Sequence, residues 1–198
     1  MEKKQILREW LQLDYKPEVI KESREKNGGK IILKGIIQKA DTKNQNKRIY
    51  PRDILDREIE NYQKAVRENR AVGELDHPET SSVSLKNVSH IIREMWWDGS
   101  DVCGKVEVLP TPQGKILEQL LESGVMIGIS SRGVGSTEQT NEGTNVVQQD
   151  FQIICFDIVS EPSTPGAYLF GESKKIETDV RFEKADRIYR ALNDIVRK

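Results

Sequence analysis

The sequence predicts an α+β fold dominated by an antiparallel sheet or barrel. Three observations point there. Short β-branched and apolar runs recur between Lys30 and Val159. Two of them flank the tight turn Asp98-Gly99-Ser100-Asp101, the clearest hairpin in the chain. Helical spacing is confined to a few stretches, and the order of strands and helices is that of the α+β class. At 198 residues the chain suits one core with appendages.

In chain order, Ile6, Leu7, Trp10 and Leu11 follow helical spacing until Pro17 and a charged stretch ending in Asn27-Gly28-Gly29. Residues 1–29 therefore read as a short amphipathic helix on a linker. The isoleucine-rich KIILKGII from Lys30 reads as a strand, with Gly35 as a bulge candidate. Pro51 opens a helix to about Glu68, with Ile54, Leu55, Ile59, Tyr62 and Val66 on one stripe. Residues 71–87 are small and polar and read as irregular. Val88 to Trp97 and Val102 to Val108 form the hairpin. Pro112 to Leu121 reads as a helix. Val125 to Val134 and Val146 to Val159 read as strands, separated by the polar STEQTNEGTN and followed by the rigid loop SEPSTPGA. In the charged tail, Phe182, Ala185, Tyr189, Leu192 and Val196 recur at helical spacing, so residues 176–198 read as an amphipathic helix. The domain between these ends spans 30–175.

Composition removes several classes. The charged fraction is 32%, yet 31 basic and 32 acidic residues leave a formal charge of -1. With a pI near 6.2, a general nucleic-acid binder is disfavoured. No apolar run reaches the roughly 20 residues of a membrane span, and the N-terminus lacks the apolar core of a signal peptide. A soluble cytosolic chain is expected. The two cysteines, Cys103 and Cys155, stand apart in strand-like runs and read as buried free thiols.

Three features could carry chemistry. His77, in GELDHP, is one of only two histidines and sits in a loop with acidic neighbours. The other, His90, alternates with Val88 and Ile92 and reads as a packed sheet residue. In GISSRG an apolar strand runs into Ser130, Ser131, Arg132 and Gly133, and alternation places Ser130 on the face of Gly128. Asp157 lies inside FQIICFDIV, where a buried carboxylate needs a partner: an imidazole, or an arginine such as Arg132 or Arg48. A hydroxyl, an imidazole and a buried acid on separate elements can make a nucleophilic triad, which is defined by geometry and not by chain order. A metal site from Glu74, Asp76, His77 and His90 is the competing reading. Its spacing matches no usual zinc or two-metal pattern, and no third strong nitrogen or sulfur ligand is at hand.

NQNKRIYP, GELDHP, EMWWDGSDVCGKVEV and GISSRGVGS, in this order and at these intervals, resemble the prohead core proteases of myovirus-type tailed phages. That family shares a clan with the herpesvirus assemblins, and the resemblance covers about residues 30–170. It implies a herpesvirus-protease-like fold, a small antiparallel β-barrel surrounded by helices. It implies a serine endopeptidase with His77 as general base, Ser130 as nucleophile and Asp157 as third member. Ser131 is the alternative nucleophile and His90 the alternative third member. Backbone N–H groups near Arg132 and Gly133 are expected at the oxyanion.

The resemblance further implies cleavage after glutamate in Ile/Leu-x-Glu sequences, for which Arg48 and Lys47 would supply positive charge. Phage scaffold or core proteins and the major capsid protein are the implied substrates, inside the assembling prohead in the host cytoplasm. No cofactor, metal, nucleic acid or membrane is implied. Homo-oligomerisation is left open, because the herpesvirus relatives dimerise. Leu7-Arg8-Glu9 and Ile20-Lys21-Glu22 are expected self-processing sites in a segment that restrains the zymogen. Ile92-Arg93-Glu94, Ile116-Leu117-Glu118 and Leu120-Leu121-Glu122 match too, but lie in expected strand or helix. The alternative is a non-catalytic prohead core or scaffold protein that keeps the protease fold.

Overall fold

In the computed structural model, residues 5–8, 11–13, 17–78, 80–125, 127–160 and 169–171 are described. The elements in chain order are β1 (Gln5–Arg8), β2 (Leu11–Leu13), α1 (Pro17–Lys26), β3 (Ile32–Lys39), β4 (Arg48–Ile49), α2 (Arg52–Arg67), β5 (Val72–Glu74), β6 (Val88–Asp98), β7 (Asp101–Val108), α3 (Pro112–Glu122), β8 (Ile127–Gly135), β9 (Thr137–Gln139), β10 (Asn145–Val147), β11 (Gln152–Val159) and β12 (Leu169–Gly171).

Period-two patterning built the expected hairpin. β6 and β7 pair from His90↔Val108 to Asp98↔Asp101, and Gly99 takes φ 60 in the two-residue turn, a left-handed backbone that costs glycine nothing. Around it, β12, β3, β7, β6 and β5 form one antiparallel sheet in that spatial order. In a second sheet β8 is flanked by β11 on one side and by β1 and β2 on the other, all antiparallel. A third small sheet runs β4, β10, β9. A parallel bridge, Leu75↔Ile158, ties the end of β5 to β11. Among the described residues no ladder closes these sheets into a barrel, so the architecture is a mixed one of several sheets and three helices.

The core lies between the two larger sheets. Leu33, Ile37, Ile92, Val102 and Val106 of the first pack with Ile129, Phe156 and Ile158 of the second. Full burial of each such side chain stabilises by about 1.5–3 kcal/mol. The stripe expected on α2 is buried in full, with Ile54 and Leu55 in a smaller cluster beside Tyr50 and Phe151. Thr111 caps α3 by accepting the Gly114 N–H at 3.0 Å, with Pro112 in the first turn. Cys103 and Cys155 are buried and free. No helix among the described residues is long and apolar enough to cross a membrane.

Several local expectations are corrected. Residues 5–8 and 11–13 are not helical: they are β1 and β2, because the open edge of β8 supplies a pairing partner that local spacing cannot report. The charged stretch after Pro17 is helix α1, anchored by the fully buried Ile20 and by Ser23, whose hydroxyl accepts from Ile32 N at 2.9 Å and donates to Ile32 O at 2.8 Å. The irregularity in β3 falls between Ile36 and Gln38, not at Gly35. The segment 71–87 contains β5, and the loops around STEQTNEGTN contain β9 and β10. The helix expected over 176–198 lies outside the described residues.

Candidate active site

The site starts at a glycine. A Cβ on Gly73 would meet Phe156 O at 1.9 Å and His90 Nε2 at 2.4 Å, so only glycine lets β5 lie this close to β11. That approach lets the Glu74 N–H donate to Asp157 Oδ1 at 2.9 Å. Two residues on, Asp76 adopts φ 71, donates its N–H to Ile158 O at 2.7 Å and accepts the His77 N–H on its carboxylate at 2.8 Å. This turn delivers the His77 ring over the two strands.

Ser130 and Asp157 are directly opposed across the β8–β11 ladder. The His77 ring spans them: Nε2 lies 2.7 Å from Ser130 Oγ and Nδ1 lies 2.8 Å from Asp157 Oδ2. With its proton on Nδ1, the ring donates to Asp157 and accepts from Ser130, the polarity a general base requires. Ser130 and Asp157 are fully buried, and the His77 side chain is 4% exposed.

Asp157 has both of the partner types expected for it. Arg132 Nε lies 2.9 Å from its Oδ2, and the Cys155 thiol donates to Oδ1 at 3.2 Å. Burial alone would raise the Asp157 carboxyl. Hydrogen bonds from His77 and the Glu74 N–H, with the Arg132 charge, outweigh it and hold the group below the ordinary carboxylate value. Arg132 is itself fully buried, with Nη2 2.9 Å from Glu74 Oε1 and Nη1 donating to Thr80 O at 2.9 Å. Glu74 also accepts from Ser84 N at 2.9 Å and Asn87 Nδ2 at 3.0 Å. Two carboxylates thus share one guanidinium. With Arg132 positive and Glu74 and Asp157 negative, one formal negative charge is left beside the His77 ring.

The remaining expected residues fall elsewhere. Ser131 points to the other face of β8 and accepts from Gln38 Nε2 at 2.8 Å. His90, the alternative third member, has its ring nitrogens 2.8 Å from Ser89 Oγ and 2.9 Å from Phe156 O, and it is Asp157 that faces His77 Nδ1. Gly133 lies on β8 against Phe151. Lys47 and Arg48 sit at and just before β4, in the third sheet and not on the triad's strands. Among the described residues, no three His, Cys, Asp or Glu side chains converge on a metal position. The ion-paired role of Glu74 was not read from the sequence; its place in GELDHP, three residues before His77, was the available signal.

Acid is expected to weaken this fold through His90. Burial lowers its pKa from 6.5 to about 4, so the folded ring stays neutral while the unfolded chain takes up a proton. Stability is therefore complete above pH 6.5 and is lost as pH falls toward 4, by about 3 kcal/mol. Asp157, with its depressed pKa, adds to the loss at still lower pH. In urea titrations across this range, His90→Gln is expected to flatten the slope; an unchanged slope would contradict the assignment.

Comparison with known proteins places these features in context. The sequence profile described as "Prohead core protein serine protease" matches residues 12–178. The prohead core protein protease of Enterobacteria phage T4 is 35% identical over 176 residues, covering 85% of this chain and 82% of that protein. The solved structure of the bacteriophage T4 capsid assembly protease, gp21, superposes with a TM-score of 0.69 at 29% identity, covering 81% of this chain and 100% of that one.

Proposed function

The chain belongs to the prohead core protein serine protease family, and from that membership we propose that it is a serine endopeptidase of phage prohead maturation. The observation that carries the reading is the His77 ring, seated between Ser130 Oγ at 2.7 Å and Asp157 Oδ2 at 2.8 Å. Ser130 Oγ attacks the scissile carbonyl, His77 Nε2 takes its proton and later gives it to the leaving amine, and Asp157 holds the ring's tautomer. The Arg132 guanidinium is committed to Glu74 and Asp157, so the oxyanion is assigned to backbone N–H groups at Arg132 and Gly133. A non-catalytic core protein would have no use for this line of hydrogen bonds.

The substrates in this reading are core or scaffold proteins and the major capsid protein, cut after glutamate within Ile/Leu-x-Glu sequences, and the chain itself. The place of action is the assembling prohead in the host cytoplasm. The herpesvirus-like barrel belongs to the same reading, supported by the Leu75↔Ile158 bridge between the two large sheets. Homo-oligomerisation is left to measurement. Lys47 and Arg48 are the proposed cations for the substrate glutamate. With Leu-x-Glu and Leu-x-Gln peptides compared directly, kcat/KM is expected to fall about 10-fold or more for the glutamine peptide, and Arg48→Ala to narrow the gap. Equal turnover of the two peptides would contradict the specificity, and no turnover of either would contradict the activity.

A further inference from the structure

We propose that Glu74 is a positioning residue of the triad: by gripping Arg132 and the far end of the His77 loop at once, it keeps the Asp157 carboxylate aimed at the His77 ring. The inference rests on the protease reading above and adds to it a residue that touches neither the substrate nor the reacting atoms.

Glu74 ends β5 and is fully buried, so each of its polar atoms needs a partner. Its N–H donates to Asp157 Oδ1 at 2.9 Å. Its Oε1 accepts from Arg132 Nη2 at 2.9 Å and from the Ser84 N–H at 2.9 Å, and its Oε2 accepts from Asn87 Nδ2 at 3.0 Å. The His77 loop leaves β5 directly after Glu74 and returns at Asn87, whose carbonyl accepts the Leu75 N–H at 3.0 Å. Arg132 holds the same loop midway, donating from Nη1 to Thr80 O at 2.9 Å. One buried acid thus joins the start of the loop to its end, to the guanidinium and, through its own N–H, to the acid of the triad.

The guanidinium carries this grip to the imidazole. Arg132 Nε lies 2.9 Å from Asp157 Oδ2, the oxygen that faces His77 Nδ1 at 2.8 Å. An arginine with no other acceptor would turn its whole fork to that carboxylate and compete with the ring for it. Glu74 Oε1 and Thr80 O engage the two outer nitrogens instead, so the guanidinium meets Asp157 along one edge, with Nη2 3.3 Å from Oδ1. Charge points the same way. Without Arg132, two carboxylates would be buried together with no cation, and the pair would take up a proton that makes Asp157 a poorer acceptor for the ring. Without Glu74, the charges of Arg132 and Asp157 cancel and the ring faces no net negative charge from them. An apolar pair of like size often holds a fold as well as a buried ion pair does, so stability alone does not account for the arrangement.

The test uses purified full-length chain carrying Glu74→Gln, Arg132→Met or both. It reads kcat and KM on a Leu-x-Glu reporter peptide, with circular dichroism and urea titration to follow the fold. The proton on His77 Nδ1 is followed by its downfield NMR resonance, identified as the one missing from His77→Ala. Glutamine keeps the shape at 74: its oxygen accepts from Arg132 and Ser84, and the Asn87 amide turns to accept from its NH₂. Glu74→Gln is expected to lower kcat about 10- to 100-fold with KM within about three-fold, and to move the His77 N–H resonance. Arg132→Met is expected to lower kcat further. Adding Glu74→Gln to it is expected to raise kcat again by about ten-fold, because the second change removes the unmatched carboxylate.

A folded Glu74→Gln chain within about three-fold of the unsubstituted kcat, an unmoved His77 N–H resonance, or a double variant no more active than Arg132→Met would overturn this proposal and leave the protease reading standing. Should Arg132→Met not fold, the kcat and resonance of Glu74→Gln decide alone. Failure of the unsubstituted chain to cut the reporter would overturn both.

Discussion

Ser130→Ala is expected to lower kcat for a Leu-x-Glu peptide by about a million-fold, the scale of losing a triad nucleophile. Ser131→Ala, one residue away, is expected to stay within about ten-fold of the unsubstituted chain. The contrast comes from strand geometry: neighbours on β8 face opposite sides, so Ser130 Oγ reaches His77 Nε2 at 2.7 Å while Ser131 Oγ takes a hydrogen bond from Gln38. A methyl group at 130 removes the atom that bonds to the carbonyl. A methyl group at 131 leaves the Gln38 amide unpaired in the interior, at about 1–3 kcal/mol of stability. Steady-state kinetics with a urea titration separates the two effects: activity is lost at 130, stability falls at 131.

Asp157→Asn is expected to reduce kcat by about 10⁴-fold with a smaller change in KM. Asp157 now accepts from four directions: His77 Nδ1, the Glu74 N–H, Arg132 and the Cys155 thiol. An asparagine keeps one oxygen, which the Glu74 N–H and Arg132 will claim. Its NH₂ group then faces His77 and favours the tautomer with the proton on Nε2, which cannot accept from Ser130. Arg132 retains Glu74 as a partner, so the fold survives and the loss is read in catalysis. Kinetics on folded Asp157→Asn, with circular dichroism as the control, checks this. A loss under about ten-fold would mean that Asp157 serves the buried ion pair and not the imidazole.

Much of this was legible in the sequence where the signal is local. The β6–β7 hairpin announced itself by alternation around Gly99, and α2 by five apolar residues at helical spacing. Ser130 and Asp157 could be singled out because a hydroxyl beside a glycine and a carboxylate in an apolar run are physically conspicuous. Their meeting with His77 came from the family resemblance, since strand register across 27 positions is not a local property. β1 and β2 were misread because Ile6, Leu7, Trp10 and Leu11 satisfy helical spacing; the edge of β8, far along the chain, decided otherwise. Glu74 was weighed as a metal ligand, and Glu58 drew no reading at all. Both are buried, Glu74 by Arg132 and Glu58 by the Ile153 N–H at 3.0 Å where β11 is irregular, and such partners exist only in the folded chain.

The central claim is that His77 activates Ser130 and no other hydroxyl. The most direct measurement treats full-length chain with a small fluorophosphonate and maps the adduct by mass spectrometry, in parallel with His77→Ala. The predicted result is one adduct, on Ser130, absent from the His77→Ala chain. An adduct on Ser131, an undiminished adduct on Ser130 without His77, or no adduct on a chain that still cuts peptide would contradict it.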